Sequence, residues 1–247
     1  MTDNTMSLTI HARPGTRAVI DVDEATKRIG IDLQHHPNPA KAIAIPAQLA
    51  APLINLALHR TDLNRAREFL DEFDRQGGVQ PPEGPVQQGF RMSAVCRALW
   101  QAALGSTMKC FQYSNSRSQM LYAATIFGDT MQPLRATFDL LKKLRNKHVL
   151  HDENDWMQPI PLAIVAAPGH QPVVSDIDCM VMEGTDTAHI GQLGMVVDAA
   201  LAWVNQEMDS QVEVIRADLS ARDYADPIAL PPPIGNTPHT GSIGQGR

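Results

Sequence analysis

Residues able to move a proton or hold an anion are densest in one stretch of this chain, Leu144-Arg145-Asn146-Lys147-His148-Val149-Leu150-His151-Asp152-Glu153-Asn154. Between Arg145 and His151 stand an arginine, an asparagine, a lysine and two histidines. Histidine changes charge near neutral pH, so His148 and His151 are of a type suited to general acid–base work. The planar fork of Arg145 can grip a phosphate or carboxylate at two oxygens. Lys143 and Lys147 add positive charge around it. The same residue types also suit a purely structural role. Lys, Arg and His in the last turn of a helix are favoured by the helix dipole, and Asp152, Glu153 and Asp155 stand close enough in sequence to pair with Arg145.

The element expected to position these residues is an amphipathic helix. Leu134, Phe138 and Leu141 form an apolar stripe with i, i+4, i+7 spacing, and Pro133 sits in its first turn, where a missing N–H does no harm. Continued, the stripe reaches Arg145 and then His148 where further apolar residues are expected. Unpaired charge on a packing face is costly, so these side chains need a partner: a second subunit, a phosphate or an internal carboxylate.

Arg145-Asn146 followed by His151 resembles the signature of the HEPN all-helical domains, many of which are ribonucleases. The wider run from Ser116-Arg117-Ser118-Gln119 through Ile126-Phe127-Gly128-Asp129 to His151-Asp152-Glu153-Asn154-Asp155-Trp156 also looks like bacterial proteins of this type, and the likeness extends in outline over residues 45–220. The commoner spacing puts four residues between the arginine and the histidine. Here there are five, Leu150 holding the usual histidine position, so both His151 and His148 stand as candidates. The resemblance implies a HEPN-like helical bundle; joined to the hydrophobic periodicity of the chain it gives a mainly α fold, with a β-hairpin inserted before a long C-terminal helix. It also implies a homodimer with a composite site at its interface, and a metal-independent endoribonuclease in a toxin–antitoxin or phage-defence setting, with an antitoxin or other protein as partner. Such an enzyme needs a group to move the 2′-hydroxyl proton and a cation to hold the phosphate as charge develops. His151 or His148 would be the acid–base and Arg145 the clamp. Asn146 would orient the arginine or the phosphate, with Lys147 and Lys143 attracting RNA. The alternative is a non-catalytic helical module that engages a protein partner or nucleotide through the same helix. The unusual spacing, the acidic overall charge and the hairpin keep that reading alive.

Composition narrows the other classes. At 247 residues, 43% hydrophobic and 19% charged, the chain can bury a full core in one principal domain. Aromatics are 5% and Met numbers 11, a mix better suited to helix packing than to a β-sandwich. A formal net charge of −6 argues against general coating of nucleic acid. Arg135, Lys142, Lys143, Arg145 and Lys147 nonetheless make one segment locally basic. Three widely spaced cysteines, Cys96, Cys110 and Cys179, without a CxxC or Cys/His pattern support neither a disulfide framework nor a structural metal. A reducing cytoplasm is expected, with no cofactor. The N-terminus lacks a signal pattern. The longest apolar stretch, Ala42 to Leu58, is broken by Pro46, Gln48, Pro52 and Asn55, so no membrane span is expected. GxGxxG, GxxxxGK[ST] and GxSxG are all absent from the sequence. The acidic turn Asp152–Asp155 reads as solvated, the pair Asp176 and Asp178 as an exposed strand face, and His35-His36 as inert. Trp100, Trp156 and Trp203 read as packing residues.

Residues 1–44 read as an N-terminal extension with short strands at Leu8–Ala12 and Arg17–Val22 around a Pro14-Gly15 turn. A helical domain follows over 45–225. One helix carries Leu49, Leu53, Leu56 and Ala57, and a second opens at Thr61 as N-cap and stops at Gly77-Gly78. Further helices are expected from Gln87 to Met108 and from Ser116 to Phe127. Alternation over Ile160–Ala166 and Val173–Val181 predicts a hairpin spanning 160–182. A long helix is expected from Asp186 to Ala221, then a disordered tail over 226–247.

Overall fold

The computed structural model describes residues 19–23, 28–32, 45–79, 92–113, 117, 119–146, 157–165, 174–183, 187–221 and 234–236. They are mainly α-helical, and among them no helix is long and apolar enough to cross a membrane. The chain divides into two compact units, one of Met1–Thr61, Ser114–Ser118 and Gln206–Arg247, the other of Asp62–Tyr113 and Gln119–Asn205. Helix α1 (Ala47–Arg75) and helix α5 (Thr187–Ala221) each contribute residues to both.

The larger core belongs to the second unit. The later half of α1 supplies Leu63, Ala66, Leu70 and Phe73, all buried and spaced by three and four residues. Helix α2 (Ala94–Lys109) supplies Cys96, Trp100, Ala103, Leu104 and Met108. A short helix α3 (Ala123–Phe127) adds Ile126 and Phe127, helix α4 (Gln132–Leu144) adds Phe138, Leu141 and Leu144, and α5 adds Leu193, Val196, Val197, Ala200 and Val204. Polar contacts also link these elements at the edge of the core. Arg67 of α1 meets Asp198 of α5 at 3.2 Å, Lys109 of α2 meets Asp62 of α1 at 3.2 Å, and the Thr137 hydroxyl of α4 reaches Gln192 Oε1 of α5 at 3.1 Å.

The helix ends follow capping chemistry. Ser93 takes an extended conformation and its hydroxyl accepts from the Cys96 N–H at 3.0 Å, which starts α2. At the end of α1 the Gly78 N–H bonds to the Phe73 carbonyl and the Gly77 N–H to the Asp74 carbonyl, with φ of 55° and 91° at Gly78 and Gly77. This is the Schellman pattern, in which the left-handed residue satisfies orphan carbonyls.

Three sequence expectations are corrected here. There is no break at Thr61. Its hydroxyl donates to the Ala57 carbonyl at 3.0 Å inside one continuous helix, because no glycine or proline near it interrupts the i→i+4 ladder. Helix α2 begins at Ala94 rather than Gln87, since Ser93 is the residue with a side chain able to cap it. The helix expected from Ser116 is α3 alone. The chain before it is tied instead to the end of α2 by the Leu121 N–H on the Cys110 carbonyl, 2.9 Å.

Strand β1 (Val19–Asp23) pairs antiparallel with β2 (Arg28–Asp32). Strands β3 (Met157–Val165) and β4 (Val174–Glu183) pair antiparallel from Met157↔Glu183 to Val165↔Val174, with an irregularity at Ile164/Val165. Asp176 and Asp178 take register positions opposite Ile164 and Leu162. Strand β5 (Ile234–Asn236), inside the segment expected to be a tail, pairs with Arg28–Gly30 of β2. The expected strand Leu8–Ala12, the Pro14-Gly15 turn, His35-His36 and Trp156 lie outside the described residues.

Candidate functional site at the end of α4

Packing of α4 is set by three rings. Phe138 lies 4.5 Å from the Phe111 centroid and 5.4 Å from the Phe127 centroid, in tilted geometry that suits the ring quadrupoles. With Leu141 and Leu144 they define the buried face of the helix, while Leu134 is half-buried. The apolar stripe therefore closes on Leu144. Arg145 stands one position beyond it, half-buried, where the expected stripe would have carried it inward.

At Arg145–Asn146 the helix winds wider, in the i→i+5 manner. Such turns are uncommon and recur at functional sites. The Arg145 N–H is shared between the Leu141 and Lys142 carbonyls. Its guanidinium Nη1 donates to Asn146 Oδ1 at 3.0 Å. That bond uses one of five guanidinium N–H donors and fixes the plane of the group. Lys142 and Lys143, both exposed, complete a cationic last turn. Of the sequence-derived site residues the structure thus brings Arg145 and Asn146 into direct contact and leaves Lys143 on the surface. Lys147, His148 and His151 lie outside the described residues, as do Asp152, Glu153 and Asp155. Among the described residues no group of three or more His, Cys, Asp or Glu could hold a metal ion.

Alongside α4 runs an open cleft of about 200 Å³. Phe111, Leu121 and Phe138, all buried, form its apolar part, and Tyr122, Arg135 and Lys142 stand at its edge. Arg135 Nε is held by Asp139 Oδ2 at 3.1 Å.

A second polar feature escaped the sequence reading. In the first unit Asn55 and His59 of α1 are buried, and Arg117, also buried, places Nη1 3.4 Å from His59 Nδ1. A guanidinium has only donors, so in this contact Arg117 donates and His59 Nδ1 accepts. The signal was present in the sequence. Extending the stripe Phe73, Leu70, Ala66, Leu63 backwards by helical steps lands on His59 and Asn55, whereas Leu49, Leu53, Leu56 and Ala57 are only half-buried. Placing a helix start at Thr61 cut that stripe in two.

No family model, curated protein or solved structure matches the chain.

Proposed function

We propose that this protein is a metal-independent endoribonuclease of HEPN type, working as a homodimer with a composite site where two copies bring their α4 ends together. The observation that carries the reading is the Arg145–Asn146 pair, a half-buried guanidinium held by a neighbouring amide at the end of a cationic helix. A clamp for a phosphate needs such fixed donors, because orientation set before binding costs nothing at the moment of reaction.

In the proposed chemistry a 2′-hydroxyl oxygen attacks the adjacent phosphorus and its proton passes to His151 or His148. The bond to the 5′-oxygen breaks, that oxygen takes a proton from an imidazolium, and a 2′,3′-cyclic phosphate remains. Arg145 offsets the charge gathering on the non-bridging oxygens. Asn146 holds the guanidinium plane, and Lys143 and Lys147 raise the local RNA concentration. A cytoplasmic toxin or phage-defence role, with an antitoxin or other protein partner, belongs to the same proposal.

Purified protein incubated with mixed cellular RNA in EDTA, beside Arg145→Ala, tests it. The expected outcome is cleavage by the wild type and a loss of about 100- to 1,000-fold in the variant, the scale on which removal of one preorganised donor acts. Equal cleavage by both proteins overturns the assignment. RNA left intact by both favours the non-catalytic module working through the same helix.

A further inference from the structure

The cleft beside α4 has the chemistry of a nucleobase subsite. Its floor is apolar and aromatic, from Phe111, Leu121 and Phe138, and Tyr122 stands exposed at its edge. Its volume, about 200 Å³, lies below the range of roughly 300–1,000 Å³ typical of sites for drug-sized ligands. That size suits a single planar ring rather than a folded peptide. Single-stranded RNA is recognised by stacking of splayed bases on aromatic side chains, joined to cations that track the backbone.

Charge points the same way. From Gln132 to Asn146, α4 and its end carry Arg135, Lys142, Lys143 and Arg145 against one carboxylate, Asp139, in a chain of formal net charge −6. Asp139 is already matched by Arg135 at 3.1 Å. This ion pair offers both N–H donors and carboxylate acceptors to the polar edge of a base. The helix also sets the register. Arg135, Phe138, Asp139 and Lys142 share one face by three- and four-residue steps, and the next turn carries Arg145 and Asn146. With a rise of 1.5 Å per residue, Phe138 and Arg145 are about 10 Å apart along the axis.

We infer that the cleft binds one base of single-stranded RNA beside the phosphate held by Arg145, with Tyr122 as the stacking platform and Lys142 on the intervening backbone. The subsite rests on the ribonuclease reading for its ligand. The test uses a non-cleavable 2′-O-methyl RNA hexamer, read by fluorescence anisotropy, on wild type, Tyr122→Ala, Tyr122→Phe and Lys142→Ala, with RNA cleavage followed in parallel. Tyr122→Ala should weaken binding about 5- to 150-fold, the range found when a base-stacking ring is truncated. Tyr122→Phe should keep near-wild-type affinity. Lys142→Ala should weaken binding by less and flatten its salt dependence. Exposed Tyr122 can be truncated without opening the core, and unchanged thermal melts would verify this. Wild-type cleavage and hexamer binding that Tyr122→Ala leaves intact would overturn the subsite and spare the ribonuclease. Tyr122-dependent binding without any cleavage would support the subsite and sink the nuclease. A wild type that neither binds nor cleaves overturns both.

Discussion

Arg117 and Arg145 are the same residue in opposite circumstances. Arg117 is buried in the first unit, its guanidinium against His59. Arg145 is half-buried at a helix end and is held by the side chain next to it in sequence. A guanidinium enclosed by protein has exchanged water for internal acceptors, and its ligands are decided at folding. One at a helix end, held among the described residues by a neighbouring amide, is the one proposed to turn its fork to an incoming anion. An arginine beside a histidine is therefore no mark of catalysis in itself. The pair the structure describes, Arg117 with His59, is sealed from any polymer substrate, while the arginine proposed to work is the more exposed one.

Substitutions break this contrast in order of expected size. Arg145→Ala should cost activity on the scale already given and leave urea-melt stability within about 0.5 kcal/mol, as for surface changes away from the core. A large fall in stability would make Arg145 a structural residue like Arg117. Arg117→Ala should do the reverse. Chemical denaturation should show a loss of about 2–4 kcal/mol, from the packed stem and from the buried acceptor left behind. His59→Leu should be milder, about 1–3 kcal/mol, because a similar volume is kept while Arg117 loses one acceptor. If Arg117→Ala proved neutral in the melt, the buried pair would not be part of the fold's stability at all.

Strong periodicity made much of the helical architecture legible. The stripe Leu193, Val197, Leu201, Val204, Met208 places α5 almost to the residue, and Pro133 marks the start of α4. The structure departs from periodicity where local chemistry outranks it. Thr61 has the side chain of an N-cap but spends it on its own helix, and Ser93, a true cap, is hidden inside a longer apolar pattern. In the site, the resemblance leaves Asn146 to orient either the arginine or the phosphate, and the structure has it accept from the Arg145 guanidinium. The edge position of Arg145 was not legible, because a stripe extrapolated at constant winding cannot foresee the wider turn at Arg145–Asn146. The cleft was not legible either, because it forms where the segment from Phe111 to Ala124 packs beside α4, a contact that no single helical stripe encodes.

The three thiols are sorted by depth: Cys96 and Cys110 are buried, and Cys179 on β4 is exposed. The Cys96 S–H points at the Gln76 carbonyl, 3.6 Å away, at the junction of α1 and α2. A maleimide added to native protein should therefore mark Cys179 within seconds and then stall. Modification of Cys96 and Cys110 waits on opening of α2, so their labelling rate acts as a clock for that opening. Mass spectrometry of the labelled peptides would read the open fraction of the core where reclosing outpaces labelling, and the opening rate itself at high maleimide, with no denaturant present.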